Sequence, residues 1–324
     1  MPQVPLQPPA RLVRTVSAWE GEPGQSWAHG LPERARRVVE RWELTPERVL
    51  EPGGNISMVV LVLQADGTPA TLKLGLVTPE TAQEPAALAR WDGRGAVRLL
   101  RTEPDEGALL LERLQGEVSL RSLPESKAML EATGVLRRLW VHPGDDHPFR
   151  GVPGYTGGLV DTLSARAAQP WAAELRPLAD EALRVRADLV ASEPERVLLH
   201  GDYHHGNVLA AGPSPSRGPD RADVPGGGSG ERPPWLAIDP KPLVGERAYD
   251  LAWLVRDRLD TLVASPGPAA ATRRRLHRLA DDLEVDRERL RGWSLFRAVE
   301  AGLWSLAVGD RDAGELLLEF ATWL

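Results

Sequence analysis

An apolar run, Val197-Leu198-Leu199, leads into His200-Gly201-Asp202-Tyr203-His204-His205-Gly206-Asn207, and a later apolar run, Trp235-Leu236-Ala237-Ile238, ends on Asp239. An Asp and an Asn on one loop, with a second Asp closing a later strand, are the parts that phosphoryl transfer from Mg-ATP requires. One carboxylate, Asp202, would orient the attacking hydroxyl, while the carboxamide of Asn207 and the carboxylate of Asp239 would hold magnesium. Three histidines beside an aspartate could instead ligate a hydrolytic metal. No further His or Glu pair at helical spacing completes such a site, so phosphotransfer is preferred to it and to a merely polar loop. His200 reads as a hydrogen-bonding brace for the loop, and Asp250 as a second brace from the next helix.

The choice of cation adds to this. Of 39 basic residues only Lys73, Lys127 and Lys241 are lysines. A compact ammonium that meets a phosphate as a point charge is not interchangeable with a guanidinium fork. Lys73, in Thr71-Leu72-Lys73-Leu74, alternates with apolar neighbours on a strand; the ordinary alternative is an edge lysine facing water. One hairpin earlier stands Gly53-Gly54-Asn55-Ile56-Ser57, where small residues let backbone amides approach phosphates. Gly53, Gly54, Asn55 and Ser57 are therefore candidate nucleotide contacts together with Lys73.

Glu84 is the natural partner to fix Lys73, with Glu80 as the fallback. Pro85 complicates the choice. A helix begun at Thr78 would carry Pro85 in its interior at a cost of about 3 kcal/mol. A helix begun at Pro85 puts Glu84 at its cap, able to turn toward Lys73, and is preferred.

The elements that must position these residues follow from hydropathy. Residues 11–50 read as one or two helices, the better one over 31–42 with Pro32 in its first turn. Residues 56–64 and 70–77 form a hairpin around Asp66-Gly67, and a helix follows from about Thr78. Short strands are predicted over 96–100 and 108–111. Beyond Leu114 the pattern turns helical, over 122–140, 169–191, 250–263, 270–283 and 287–324, the last broken near Gly309. A Pro/Gly-rich loop is expected over 141–158. Residues 211–234, almost free of apolar side chains, read as a flexible insertion between two strands. The expected fold is α+β and bilobal: an N-lobe over 1–112 with an antiparallel sheet and a helix, then a larger, mainly helical C-lobe over 113–324.

Composition sets the outer limits. A length of 324 residues suffices for two lobes, and 42% hydrophobic with 26% charged residues is ordinary for a globular protein. A formal charge of −7 argues against nucleic acid or an acidic membrane as partner and mildly favours a cationic small molecule. The absence of cysteine excludes disulfides and thiolate chemistry and fits the cytoplasm, the expected location. No apolar run approaches the roughly 18 residues of a membrane span, and the proline-rich start carries no signal-peptide pattern.

The run from His200 through Asn207 to Ala210, together with Trp235-Leu236-Ala237-Ile238-Asp239-Pro240-Lys241-Pro242-Leu243-Val244-Gly245-Glu246, resembles the aminoglycoside/hydroxyurea antibiotic resistance kinase family. Leu72-Lys73-Leu74 and Trp91-Asp92-Gly93-Arg94-Gly95-Ala96-Val97-Arg98-Leu99-Leu100 extend the resemblance, which spans roughly Gly53 to the C-terminus. The spacing of Asp202 and Asn207 also equals that in the protein-kinase catalytic loop. The resemblance implies the protein-kinase-like fold, ATP as donor, Asp202 as catalytic aspartate, Asn207 and Asp239 as Mg2+ ligands, and Lys73 at the phosphates. It further implies that backbone groups from Glu112 to Leu114 hold adenine, and that the acceptor is an aminoglycoside such as streptomycin.

The acceptor must be argued from its own site. Carboxylates of the helical part would suit a cationic aminocyclitol, and tryptophan, with 11 copies against three each of tyrosine and phenylalanine, can stack on a sugar. Glu300 and Trp304, one helical turn apart, and Asp257 are the candidates. A metabolic amino-sugar (glucosamine-type) kinase is the alternative acceptor class. A nucleotide-binding pseudokinase is the alternative of another kind, disfavoured because Lys73, Asp202, Asn207 and Asp239 are all present.

Overall fold

The computed structural model describes residues 4–212 and 233–324, so residues 213–232 of the insertion expected over 211–234 lie outside the described residues. Along the chain run α1 (Ala10–Arg41), β1 (Thr45–Val49), β2 (Ser57–Leu63), β3 (Pro69–Gly75), α2 (Glu84–Trp91), β4 (Leu99–Glu103), β5 (Ala108–Glu112) and β6 (Gln115–Ser119). Next come α3 (Glu125–Leu139), β7 (Arg150–Gly151), α4 (Val152–Ala167), α5 (Arg176–Ala191), β8 (Val197–Leu199), β9 (Val208–Ala210), β10 (Trp235–Ala237) and β11 (Leu243–Gly245). Five helices finish the chain: α6 (Arg247–Arg256), α7 (Leu259–Val263), α8 (Pro268–Leu283), α9 (Arg287–Ala307) and α10 (Arg311–Thr322). Two compact units result, one of Met1–Val118 with Leu209–Ile238, the other of Ser119–Val208 with Asp239–Leu324.

The first unit is built on an antiparallel sheet ordered β1-β2-β3-β5-β4. Alternation puts Met58, Val60 and Val62 of β2, Ala70, Leu72 and Leu74 of β3, and Ala108 and Leu110 of β5 into one core with Leu12, Val16, Leu31, Ala35 and Val38 of α1. Of the one or two helices read over 11–50 the structure has two segments within α1, separated at Gly21, whose φ of 60° is non-helical. That stretch also ends in a strand, β1, which hydropathy did not predict. Thr45-Pro46-Glu47-Arg48-Val49 is a half-exposed edge with no apolar alternation, and its pairing with β2 makes it a strand. Pro46 is tolerated because only one side of an edge strand needs its N–H groups. The strand predicted over 96–100 begins at Leu99, since Ala96 forms a parallel bridge with Ala237.

The second unit is helical around α9, which packs on α4, α5, α6, α8 and α10. Trp293 of α9 meets the Tyr249 ring edge-on at 5.0 Å, and both side chains are buried. The Pro/Gly-rich loop expected over 141–158 is shorter than predicted, because α4 starts at Val152 despite Gly154, Gly157 and Gly158. Arg186 of α5 donates to the Pro153 carbonyl at 2.6 Å and to Thr156 Oγ1 at 3.0 Å, tertiary contacts that offset the poor helix propensity. The helix predicted over 250–263 is interrupted at Asp257 and Arg258, the latter at φ 54°. The break near Gly309 falls as expected between α9 and α10.

Candidate active site

β8 and β11 pair antiparallel, with Leu199 opposite Leu243, so the segment after Asp239 returns beside the loop that follows β8. The Lys241 amide donates to the His200 carbonyl at 2.9 Å. Gly201, at φ +77°, makes this approach possible, since a Cβ there would lie 1.9 Å from the Lys241 carbonyl oxygen. Asp250, wholly buried on α6, accepts the backbone amides of His200 at 2.9 Å and Gly201 at 2.8 Å, and the Trp140 indole N–H at 3.2 Å. The loop is thereby clamped just before Asp202.

Asp202 itself is multiply held. Its Oδ2 accepts from Lys241 Nζ at 2.8 Å, its amide donates to His200 Nδ1 at 3.3 Å, and its carbonyl accepts from Asn207 Nδ2 at 3.0 Å. Burial would raise the Asp202 carboxyl, but the Lys241 charge, followed by His204 and His200, outweighs it and holds the group below its usual value. Lys241 is shifted the opposite way: burial lowers it, and Asp202, with Asp239 further off, more than restores it. The pair is thus ionised at neutral pH, with an acceptor-only carboxylate on the loop. Asn207 uses its NH2 group on Asp202, so its amide oxygen remains for a cation. Asp239 sits at φ 57°, an uncommon conformation for a non-glycine residue at a chemical site.

Asp257, an acceptor candidate by its charge, has its carboxylate engaged within the protein. It is 7% exposed and accepts from the His205 amide at 2.6 Å and the Arg258 amide at 2.9 Å, with His205 Nδ1 2.8 Å away. Burial would raise its carboxyl, yet the His205 contacts hold it well below the ordinary range. Asp257 is a second clamp, holding the loop at His205 where Asp250 holds it at His200 and Gly201. Glu300 is engaged by Arg166 at 3.4 Å, and Trp304, one turn on, is 37% exposed.

In the first unit, Lys73 Nζ donates to both Glu84 carboxylate oxygens, at 2.7 and 2.6 Å. Glu84, and not Glu80, closes on the ammonium. The helix starts one residue before the expected Pro85: Glu84 is its first residue, preceded by a 3-10 turn over Thr81–Gln83. Pro85 therefore occupies the first turn, where its missing N–H and fixed φ cost nothing. Gly53, Gly54 and Asn55 lie on the turn between β1 and β2, with Gly53 at φ +69°. Ser57 is 5% exposed, and its hydroxyl is tucked where a Gly54 Cβ would stand, 2.5 Å away. At the end of β5 the Glu112 amide donates to the Arg98 carbonyl, and the Leu114 carbonyl accepts from Gly116.

Lys241 is the site residue that sequence reasoning passed over. The signal was present: it is one of three lysines in an arginine-rich chain, two positions after Asp239. Replacing it by methionine removes the largest influence that depresses Asp202 and leaves burial opposed only by the weaker effects of His204 and His200. A base works only above its own pKa, so activity falls as pH drops through that value. The acid limb of the kcat/KM profile is expected to move to higher pH in Lys241→Met. An acid limb at the same pH in variant and parent would refute the pairing's influence.

Residues 41–309 match the family model described as aminoglycoside/hydroxyurea antibiotic resistance kinase. The chain is 36% identical over 304 residues to a streptomycin 6-kinase of Streptomyces glaucescens, covering 93% of this chain and 92% of that protein. It is 38% identical over 307 residues to a hydroxyurea phosphotransferase of Kitasatospora aureofaciens, covering 93% and 81%. Among solved structures, an aminoglycoside phosphotransferase in ternary complex with AMP-PNP and hygromycin B superimposes with a TM-score of 0.54 at 15% identity, over 89% of this chain and 96% of that one. This last likeness concerns the fold, which is the protein-kinase-like one.

Proposed function

Because the chain belongs to the aminoglycoside/hydroxyurea antibiotic resistance kinase family, we propose that it transfers the γ-phosphoryl group of ATP to a hydroxyl of an aminated sugar or aminocyclitol, of which streptomycin is the model. It is a phosphotransferase with an alcohol acceptor and a small molecule as substrate. The observation that carries the finer reading is the ionised Asp202, held by Lys241 at 2.8 Å and tied to Asn207 at 3.0 Å.

In this reading Asp202 orients the acceptor hydroxyl and takes its proton as the oxygen attacks the γ-phosphorus. The bond to the β-phosphate oxygen breaks, releasing ADP. Asn207 and Asp239 would hold Mg2+, a hard cation that needs only one or two protein oxygens and takes its other ligands from phosphates and water. The donor set fits, since both residues offer oxygen, and among the described residues no cluster of three or more His, Asp or Glu competes for a metal. Bound there, the ion would neutralise phosphate charge.

Lys73, fixed by Glu84, would reach the phosphates, the turn around Gly53, Gly54 and Asn55 would cover them, and adenine would lie against the backbone of Glu112 to Leu114. The nucleotide thus belongs to the first unit, and the acceptor, with Glu300 and Trp304, to the second. ATP use fits the cytoplasm, and no helix among the described residues is long and apolar enough to cross a membrane.

With Mg-ATP, streptomycin is expected to stimulate ADP release and glucosamine to do so less, and EDTA to abolish both. Release that neither compound stimulates, or that persists in EDTA, would overturn the reading.

A further inference from the structure

The acceptor candidates on α9 carry more information than their charge. Glu300 has 20% of its side chain exposed, and among the described residues its hydrogen bonding is one long contact: Nη1 of Arg166 donates to its Oε1 at 3.4 Å. An arginine and a carboxylate can instead make two parallel bonds of about 2.7–2.9 Å. Arg166, in the last turn of α4 and 23% exposed, touches Glu300 without using its fork. Arg297, one turn before Glu300, lies instead over the rings of Tyr249 and Trp253 on α6, at 4.5 Å from each centroid. Oε2 of Glu300 therefore keeps its lone pairs for another donor.

Trp304 stands one turn further along the same face of α9 and is 37% exposed. A carboxylate followed one turn on by an indole suits a planar cation. A guanidinium gives two in-plane N–H groups to the carboxylate and lays its face on the ring, whereas an ammonium, a compact point charge, cannot match the two oxygens as a fork. Glu300, Arg166 and Trp304 all have exposed side-chain surface, so a ligand in solution reaches them directly.

The same neighbourhood holds the catalytic loop. Arg256 of α6 covers the Trp253 ring at 3.8 Å, and that ring is 6.2 Å from the ring of His204. Burial, then the charge of Arg297, pulls the Arg256 guanidinium down to about 9, and the charges of Glu300 and Asp202 both reach it in the opposing sense. Glu300 and the catalytic aspartate are thus neighbours of one guanidinium.

We propose that Glu300 and Trp304 form a subsite for a guanidinium group of the acceptor, and that Arg166 holds that place in the unliganded protein and leaves it when the acceptor binds. Binding exchanges one guanidinium for another, so the carboxylate is paired in both states, and the incoming group can make the second bond that Arg166 does not. Arg166 is then a competitor of the substrate. Its removal tightens binding, the opposite of what a supporting ion pair would do. The proposal narrows the acceptor from an aminated to a guanidinated sugar or cyclitol. Its link to turnover rests on the phosphotransferase reading; its binding preference does not.

Calorimetric titration of the full-length protein without nucleotide, using streptidine, streptamine and scyllo-inositol, tests this. The three share one cyclitol ring, on which the same positions carry guanidino, amino or hydroxyl groups. Streptidine is expected to bind about 10-fold more tightly than streptamine, a difference of about 1.4 kcal/mol, and scyllo-inositol more weakly than either. In Glu300→Gln the preference for streptidine should vanish. Trp304→Leu, which removes the aromatic face and leaves the carboxylate, should keep only part of it. In Arg166→Met streptidine should bind about 2–5-fold more tightly than in the parent, the worth of a half-exposed ion pair. Undetectable streptidine binding, a streptamine affinity equal or higher, a preference undiminished in Glu300→Gln or Trp304→Leu, or streptidine binding in Arg166→Met that is unchanged or weaker would each overturn the proposal. Thermal unfolding identifies a variant that does not fold, in which case the wild-type ranking and the remaining variants decide. A protein that ranks the cyclitols as expected but never releases ADP would sink the kinase reading and leave the subsite standing; streptomycin-stimulated ADP release without the ranking would do the reverse.

Discussion

Replacing Asp202 by asparagine is expected to lower kcat by about 10²–10⁴ while leaving Mg-ATP affinity within about twofold, because the proposed nucleotide contacts lie elsewhere. The substitution preserves volume and can still accept from Lys241 through its amide oxygen. What it removes is the ability to take the acceptor's proton and the negative charge that aligns the hydroxyl. The loss should appear equally in kcat and kcat/KM, the pattern of an interaction made in the transition state. Steady-state ADP release with streptomycin, set beside direct nucleotide titration, separates the two quantities. A variant with undiminished turnover would remove Asp202 from the chemistry altogether.

Stability should respond most to Asp250→Ala. That carboxylate is fully buried and satisfies three donors: the amides of His200 and Gly201 and the indole N–H of Trp140. Truncation leaves all three unpaired in a dry environment, at about 1–3 kcal/mol each before relaxation. The expected loss is about 3–5 kcal/mol, those penalties summed and reduced by relaxation around the site. Asp250→Asn should be nearly as damaging, because one acceptor oxygen becomes an NH2 facing donors. Asp188→Ala serves as the control, since its contact with Arg184 is an exposed pair at 66% and 72% exposure and should matter by less than about 1 kcal/mol. Denaturant unfolding provides the measurement. Midpoints for Asp250→Ala and Asp188→Ala that coincide would mean that the clamp does not hold the loop.

Much of the fold was legible because the determining signals are local. The β2–β3 hairpin announces itself through apolar alternation around Asp66-Gly67, and the α9–α10 break through Gly309. Where elements were missed, the local signal pointed elsewhere. β1 is a polar pentapeptide that is a strand because β2 offers it an edge, and the glycine-poor helix propensity expected of a helix is lacking in α4, which Arg186 pins from α5. Consecutive residues carry neither fact.

The site divides along the same line. The residue types that could do the chemistry, Asp202 and Asn207 on one loop with Asp239 after a later strand, could be named from the chain by itself, because a loop of eight residues fixes which groups lie near one another whatever surrounds it. Which charges meet was decided only by tertiary structure. Lys241 reaches Asp202 because β8 and β11 pair in one register, and Asp257 turns into the loop because α6 ends beside it. Arg297 comes to lie over Tyr249 and Trp253 because α9 packs against α6. Charge alone marks a residue as a possible partner; its direction is set by the element that carries it, and that direction sets Asp257 against the backbone of His205.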